Sequence, residues 1–398
     1  MLLGRPGPQE SAHCPRCGHC VAMGPQAGSF RDAIAWALAA LIMLTLVFGF
    51  DFISFGTRGV AHTMSFVDAA RALETNGYPA LAILFILTTV VFPGLFLLGA
   101  IHISVAALSS RRLPLAITTA RRVRHLQLWM MSDVLLVGIL VALIKMVTLA
   151  RIGLGASFVV FCLFSLLLLK TMNALRWPGL WDRIAGPGDY AALRCGQTGR
   201  DQQAARCNTC AATFNTRDSH RCPRCGQHHW LSHVSRLQLT AALLVTAAMF
   251  YVPANVFPIM ITRTLVGSVE QTIIGGVLHL IQHGSWPIAV VIFVASIVVP
   301  LTKIAALGWL CLCGGYGIHG DSAAQTRLYR IMEKIGRWSM IDVFVVAVLA
   351  ALVQAGALMS ITPGPAAVYF AAVVIITMLA AETFDTRQLW RRTNAKNP

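Results

Sequence analysis

Two pairs of cysteines at Cys-x-x-Cys spacing lie near the middle of this 398-residue chain, in the stretch RCNTCAATFNTRDSHRCPRCG at residues 206–226. Cys207 and Cys210 form the first pair, and Cys222 and Cys225 form the second. Structural zinc is held tetrahedrally by four such thiolates, and each Cys-x-x-Cys turn supplies two of them. Because four protein ligands leave no open coordination position, the spacing predicts a zinc ribbon with a structural role.

The same cysteines could instead form disulfides or a redox-active dithiol. Structural disulfides rarely persist in the cytoplasm, which is where the charge pattern described below places this segment. The surrounding sequence also lacks the strand–helix–strand pattern that accompanies thioredoxin-like dithiols. Both considerations favour zinc.

The N-terminus holds a shorter version of this pattern, HCPRCGHC. Cys14 and Cys17 form one Cys-x-x-Cys turn, but no second pair follows closely. A zinc site here would need further ligands, for which there are four candidates: His13, His19, Cys20 and Cys195. We therefore predict a degenerate zinc-ribbon-like head whose ligand set stays open.

A second group of residues that could do chemistry lies inside strongly apolar segments of the second half. Counted along these segments, four residues fall at similar depth: Lys303, Asp342, Thr377 and Glu382. A charge inside a membrane span is costly, so each one needs a reason. Lys303 and Asp342 could form a structural ion pair, or the group could be a functional polar network that titrates or contacts substrate head groups. Because buried ion pairs stabilise proteins poorly, we favour the functional network.

The first half of the chain retains only part of this group. Asp133 matches Asp342, but Phe96 stands in the place of Lys303. Asp133 could instead pair with Lys170. We therefore expect the second half to carry the chemistry and the first half to support it.

Membrane-spanning helices must position these residues, because the composition excludes an ordinary soluble protein. The chain is 56% hydrophobic and 12% charged, whereas soluble domains are about 25% charged. Apolar runs of about 20 residues cross a bilayer as helices. We predict eight spans, at about 32–50, 79–107, 128–150, 156–176, 237–262, 286–312, 338–359 and 365–384.

The formal net charge of +16 reflects membrane topology and not a nucleic-acid partner. Arginine and lysine collect between spans two and three, four and five, and six and seven, and again after span eight, whereas the intervening loops are poor in them. Such a bias marks the cytoplasmic side. Both termini and the ribbon are therefore predicted to be cytoplasmic.

The two halves of the chain are also similar to each other. The stretch LWMMSDVLLVGILVALIKMVTLARIGLG (128–155) matches RWSMIDVFVVAVLAALVQAGALMSITPG (337–364) without a gap, and Pro93 matches Pro300. Internal repeats are common in membrane transport folds. Because four spans is an even number, the two halves have the same orientation.

The resulting fold prediction is an all-α polytopic membrane protein made of two tandem repeats. Each repeat is a small cytoplasmic zinc-ribbon-like head followed by a four-helix transmembrane bundle. We expect the central ribbon to cap the bundle that follows it. The predicted domains are a head at 1–30, a first bundle at 31–185, the ribbon at 186–235 and a second bundle at 236–398.

Four motifs of the chain together resemble the paraquat-inducible protein A family: CPRCG, PANVFPIM, VVPLTK and GRWSMIDVFVVAVL. The resemblance implies an inner-membrane protein of Gram-negative bacteria. It also implies a periplasmic partner of the mammalian cell entry (MCE) type, whose stacked rings form a hydrophobic tunnel that exchanges phospholipid with the membrane. A polar network of Lys303, Asp342 and Thr377 would drive or gate this movement. The first half departs from the family pattern, since it lacks the PANxxP motif and a complete cysteine set.

The sequence offers no sign of an enzyme, because it has no Walker A motif and no Gly-rich nucleotide fingerprint. Two other functions stay open. One is a zinc-stapled membrane scaffold that anchors a periplasmic partner without transporting anything. The other is a sensor of thiol redox state or metal.

Overall fold

In the computed structural model of the protein, the described residues are 11–13, 20–23, 30–57, 60–109, 113–147, 151–186, 204–215, 221–228, 233–264, 267–282, 284, 286–316, 322–335, 340–341, 344–348 and 359–386. Most of them are helical. The helices are α1 Phe30–Leu46, α2 Asp68–Thr75, α3 Pro79–Ile86, α4 Phe92–Leu108, α5 Ala116–Trp129, α6 Ser132–Val147, α7 Ala156–Ala174, α8 Trp177–Ala185, α9 His233–Val256, α10 Ile273–Gln282, α11 Trp286–Phe293, α12 Val299–Tyr316, α13 Ser322–Ile335 and α14 Ala366–Thr383.

Six helical stretches of the described residues are long and apolar enough to cross a membrane. They are Pro79–Leu108, Ala116–Leu143, Ala156–Ala174, Ser235–Val256, Ala289–Gly315 and Ala366–Thr383. The first predicted span is helix α1, which at 17 residues is shorter than these. Of the seventh predicted span, 344–348 are helical, and most of its other residues lie outside the described part of the chain.

The all-α prediction omitted short strands that follow or precede the long helices. They are β1 Ser11–His13, β2 Cys20–Met23, β3 Ile53–Thr57, β4 Val60–Met64, β5 Arg151–Leu154, β6 Ala204–Arg206, β7 Thr213–Asn215, β8 Met260–Thr264, β9 Gly267–Gln271 and β10 Met359–Pro363. Strands β1 and β2 form one hairpin, and β6 and β7 form another.

The remaining strands form two antiparallel sheets of the same design. Their strand orders are β4-β3-β5 and β10-β8-β9, so β3 and β8 are the central strands. Ile53 pairs with Leu154 in the first sheet, and Met260 pairs with Pro363 in the second. Each central strand comes after one long helix, and its distant partner comes directly before another.

A glycine makes a close backbone approach beside each sheet. The N–H of Gly155 donates to the carbonyl of Phe52 at 3.1 Å, and the N–H of Gly364 donates to the carbonyl of Ile259 at 2.8 Å. A Cβ atom on Gly155 would collide with the carbonyl oxygen of Asp51, and one on Gly364 would collide with that of Pro258. Only glycine fits such an approach, because it has no Cβ.

Two helices widen into a π turn just before a proline. The π turns are Leu87–Val91 and Val294–Val298, and Pro93 and Pro300 follow them. A proline cannot donate the backbone hydrogen bond that continues a helix, so the turn before it must adjust. Widened turns of this kind often occur at functional sites.

A buried hydroxyl group within each π turn bonds back to the preceding turn of its own helix. Thr89 Oγ1 donates to the carbonyl of Phe85 at 2.6 Å, and Ser296 Oγ donates to that of Ile292 at 2.6 Å. Both bonds reach back four residues along the same helix. The two π turns are therefore built in the same way.

Residues 1–45, 90–130 and 162–232 form one compact unit. Within it α4 packs against α5 and α8. A Cβ atom on Gly99 would collide with Val123, so the missing side chain lets α4 and α5 approach closely. Trp181 of α8 is buried in the same unit.

Residues 46–89, 131–161 and 233–398 form a second compact unit. Within it α9 packs along α14 and against α12. A buried cluster joins these helices, formed by Leu244, Leu307, Leu310, Cys311, Cys313, Ala380, Ala381 and Phe384. Edge-on and tilted ring contacts, with centroids 5.5–6.0 Å apart, connect Phe52, Phe66, Phe85, Phe158 and Phe161 in another part of this unit.

Candidate functional site

The side chain of Lys303 is buried between two apolar helices of the second unit. Lys303 lies on α12 and is 1% exposed. Its Nζ donates to Thr377 Oγ1 of α14 at 3.0 Å, and Thr377 is buried as well. The Thr377 hydroxyl in turn donates to the carbonyl of Val374 at 3.0 Å. The structure thus brings together two of the residues that the sequence predicted to meet.

This arrangement places an ammonium group where a charge is expensive. Solubility does not explain this charge, because α12 and α14 belong to two of the stretches that are long and apolar enough to cross a membrane. A buried charge is tolerated only when hydrogen bonds and an opposite charge compensate its lost hydration. Thr377 satisfies one of the three donors of the ammonium.

Asp342, the predicted carboxylate partner, lies outside the described residues. The chain on both sides of it is in the core of the second unit, since Ile341 is 4% exposed and Phe344 is 1% exposed. The sequence prediction for Asp342 therefore stays a prediction.

The other two predicted members of the network, Glu382 and Asp133, lie at helix ends. Glu382 is exposed near the end of α14. It follows Thr377 by five residues, which turns it onto another face of the helix at about 100° per residue. Asp133 is partly buried in the first turn of α6, where a carboxylate interacts favourably with the helix dipole. Lys170, its suggested partner, is exposed on α7.

A tyrosine that the sequence prediction missed lies near the end of α14. The Tyr329 hydroxyl, on α13, donates to the carbonyl of Ala381 at 2.7 Å. Burial, with nearby Glu333 and Asp385, raises the pKa of Tyr329 above its usual range. It therefore stays a neutral hydrogen-bond donor.

The four central cysteines form a closed, buried group. Their sulfur atoms lie within 4.8 Å of one another. Cys207 Sγ is 3.6 Å from Cys225 Sγ, and Cys210 Sγ is 3.5 Å from Cys222 Sγ. A tetrahedron with metal–sulfur bonds of about 2.3 Å has sulfur atoms roughly 3.8 Å apart. The four thiols are free, so the group could hold a metal ion.

Both Cys-x-x-Cys turns have the same local structure. The Cys207 carbonyl accepts from Ala211 N–H at 3.0 Å, and the Cys222 carbonyl accepts from Gly226 N–H at 2.8 Å. Ala211 and Gly226 have φ angles of 58° and 70°. Glycine adopts this left-handed conformation freely, whereas alanine does so at a cost. The turns aim all four sulfur atoms at one point.

The thiols also influence one another electrostatically. Hydrogen bonds from the other thiols, first Cys210, lower the pKa of Cys207 below its usual range. The same contacts raise the pKa of Cys210 and Cys225, so the group shares its protons unevenly. A metal ion would bind the deprotonated sulfur atoms, because the metal ligand is the thiolate and not the thiol.

Arg224, between the cysteines of the second pair, ties this group to α8. Its Nη1 donates to the carbonyl of Cys210 at 3.2 Å, and its Nη2 donates to Asp182 Oδ1 at 2.7 Å and to the carbonyl of Gly186 at 2.6 Å. The side chain of Arg224 is 4% exposed. Arg224 therefore attaches the ribbon to the preceding helix, in the same compact unit. The predicted cap on the following bundle stays a prediction.

The N-terminal head is described only in its strands. His13, at the end of β1, pairs with Cys20, at the start of β2. Cys14 and Cys17 lie outside the described residues. A metal site in this head is therefore not tested.

Comparison with known proteins places the chain in context. It matches the family described as paraquat-inducible protein A over residues 30–185 and 237–394. The intermembrane transport protein PqiA of Escherichia coli (strain K12) is 40% identical over 388 residues, covering 96% of this chain and 91% of that protein. A probable intermembrane transport protein of Haemophilus influenzae is 30% identical over 389 residues, covering 96% and 91%.

A further similar protein is the lipophilic envelope-spanning tunnel protein A of Escherichia coli (strain K12). It is 29% identical over 392 residues, covering 98% of this chain and 89% of that protein. No solved structure matches the chain. The relatives are named for transport and not for an enzymatic reaction, and the apolar helices indicate a multi-pass membrane protein.

Proposed function

Because this chain belongs to the paraquat-inducible protein A family, we propose that it is an inner-membrane subunit of an intermembrane lipid-transport system. Its cargo is phospholipid, and its partner is a periplasmic MCE-type protein that forms a hydrophobic tunnel. The names of the relatives support a role in transport of lipophilic material across the envelope. The buried contact between Lys303 and Thr377 is the observation that carries the proposal for this chain.

The chemistry of a phospholipid explains why such a contact is useful. Its tails suit the apolar helices, but its phosphate carries a charge that the helices alone cannot hold. An ammonium group makes strong charge-assisted hydrogen bonds to phosphate. In this proposal Lys303 receives the phosphate, Thr377 orients the ammonium, and Asp342 balances the charge of Lys303 when no lipid is bound.

Lipid transfer from proteoliposomes to the purified MCE-type partner tests this role. Lys303→Met keeps most of the side-chain volume and removes the charge, so transfer should fall by at least about tenfold. The double variant Lys303→Met with Asp342→Asn removes both charges, which avoids leaving the Asp342 charge in its predicted span without the cation proposed to balance it. It should fold normally and still fail to transfer lipid.

The neighbouring Thr302 provides the control. It lies on the same helix, is exposed, and donates within that helix to the carbonyl of Val298 at 2.7 Å. Thr302→Ala should transfer lipid at the normal rate. Normal transfer by the charge-free double variant would refute the polar network.

We also propose that the cysteine group holds zinc as a structural ion. Four thiolates, no open position and tetrahedral spacing are the donor set and geometry that zinc prefers. The residues that would hold it are Cys207, Cys210, Cys222 and Cys225. Its role would be to fold the two turns, since they contain little apolar surface of their own.

The finer architecture is a proposal as well: eight spans in two tandem repeats, with both termini cytoplasmic. The two segments matched by the family, 30–185 and 237–394, support two transmembrane modules. A repeat is supported by three features that occur once in each half. They are a three-stranded sheet, a π turn before a proline, and a close-packed glycine, Gly155 or Gly364.

A further inference from the structure

Helix α10 is a short helix with an apolar surface that no described residue covers. It spans ten residues, Ile273–Gln282, and precedes the membrane-spanning stretch that begins at Ala289. Ile274, Leu278 and Ile281 follow one another at helical spacing and are 51%, 54% and 50% exposed. These three residues form what we call the α10 stripe.

The α10 stripe is separate from the face of α10 that packs in the protein core. The core face is already occupied, because Ile273 and Val277 are 4% and 6% exposed. His279 and Gln282 form an exposed polar edge. At about 100° per residue, the stripe lies between the core face and the polar edge. The helix thus has one side for protein, one that suits lipid, and one that suits water.

The chain connection keeps α10 close to the membrane. Gly284, with φ of 74° and its N–H donating to the carbonyl of Ile281 at 3.0 Å, ends the helix in a tight turn. Trp286 then begins α11 and is 66% exposed. Tryptophan is enriched at the membrane–water boundary. Four residue steps span at most about 14 Å, so the end of α10 must lie near that boundary.

The helices that follow α10 also have exposed apolar residues. Val290 and Val291 of α11 are 51% and 47% exposed, and Leu301 of α12 is 47% exposed. In a membrane-spanning helix these side chains face the acyl chains. The stripe extends this lipid-facing surface onto a helix outside the span.

The corresponding helix of the first half has the opposite character. Helix α2, Asp68–Thr75, also follows a hairpin of two strands and precedes a membrane-spanning stretch. Its exposed face carries Arg71, Glu74 and Thr75, and Arg71 lies 3.6 Å from Asp68. That face suits water, so the apolar face of α10 is a property of the second half and not of the fold.

We propose that α10 is an interfacial helix, and that Ile274, Leu278 and Ile281 insert among the acyl chains of the membrane leaflet on the side predicted to be periplasmic. Amphipathic helices of this kind lie in the plane of the interface, with their apolar face at the boundary between head groups and acyl chains. The proposal does not depend on lipid transport, because it needs neither the polar network nor a partner protein.

Photolabelling of the full chain in phospholipid nanodiscs tests the proposal. The nanodiscs contain phosphatidylethanolamine and phosphatidylglycerol, with a trace of phospholipid that carries a diazirine in its acyl chain. After irradiation, adducts are located by peptide mass spectrometry. We expect labelling of the α10 stripe about fivefold or more above that of α2, and comparable to that of Leu301.

A variant and its matched control complete the test. The variant Ile274→Gln, Leu278→Gln and Ile281→Gln should lose labelling on α10 and retain it on Leu301, because these exposed positions are not part of the core. Arg71→Gln with Glu74→Gln in α2 should leave the labelling of α10 unchanged. Labelling of α10 no higher than that of α2 in the unaltered protein would overturn the proposal, whatever the outcome of the lipid-transfer assay.

Discussion

At the scale of single residues, two buried cations organise the described parts of the molecule. Lys303 donates to a hydroxyl group between apolar helices. Arg224, beside the cysteine group, donates to the carboxylate of Asp182 and to two backbone carbonyl groups. An ammonium group on a flexible stem can exchange one partner for another. A guanidinium group, with a fixed planar array of donors, suits a permanent attachment. The two residues therefore fit different tasks.

The role of Arg224 predicts a specific loss of stability. Arg224→Gln removes charge-assisted hydrogen bonds and should lower the free energy of unfolding of the ribbon by about 2 kcal/mol. The half-exposed carboxylate of Asp182 recovers its hydration, which keeps the loss moderate. Hydrogen exchange of residues 204–228 in the intact protein measures the effect. Exposed Arg221 serves as the control; if Arg221→Gln weakens protection as much as Arg224→Gln does, the attachment is not specific.

At the scale of elements, the glycines beside the two sheets explain why strands and helices meet as they do. Gly364 lies between β10 and α14, and its backbone packs directly on that of Pro258, which precedes β8. A backbone carbonyl cannot rotate away as a side chain can. Any substituent at Gly364 must therefore push the two chain segments apart.

This packing makes Gly364→Ala a strong test. The change should destabilise the protein by about 2–3 kcal/mol, as overpacking against rigid atoms does. Gly308→Ala in α12 is the matched control, because no described residue lies within 4 Å of its added methyl group. Alanine there should stabilise the helix by up to about 1 kcal/mol. Thermal unfolding in detergent compares them. Equal melting temperatures for the two variants would contradict the close approach.

Sequence reasoning succeeded for elements whose signal is local or purely apolar. The long helices follow from hydropathy alone, and the cysteine group follows from spacing within 19 residues. The contact of Lys303 with Thr377 was predictable because depth in a membrane can be counted along each span. The contact connects residues 74 positions apart. The depth of each residue can nevertheless be counted from the same membrane surface.

The strands and the attachment of Arg224 escaped prediction for a common reason. Strand β3 is five residues long and pairs with β5 about a hundred residues later, so its apolar alternation is too short to separate from the end of a helix. Arg224 contacts Asp182 over 42 positions, and an arginine between two cysteines looks like an ordinary exposed charge. In both cases the contact partner lies far away in the sequence. Membrane depth does not help to identify it, as it does for Lys303 and Thr377.

At the scale of the whole molecule, the division of the chain into compact units bears on the proposed zinc ion. The cysteine group belongs to the unit that contains α8, whereas Lys303 and Thr377 belong to the other unit. Metal binding to a small ribbon is coupled to its folding. Loss of the metal should therefore act first on the ribbon and on the helix to which Arg224 attaches it.

Metal removal tests this division in a single experiment. We expect the purified protein to contain zinc at about one ion per chain from this site. A strong chelator should remove hydrogen-exchange protection from residues 204–228 and from the end of α8, because the turns that Arg224 bridges depend on the bound cation. Protection of α12 and α14 should persist, since their packing rests on apolar contacts such as those of Leu307 and Leu310.

Cys222→Ser should lose the zinc, whereas Cys311→Ser, in the apolar cluster, should keep it. Full zinc content in Cys222→Ser would exclude the cysteine group as the site, and collapse of α12 and α14 on chelation would show that the metal supports the whole protein.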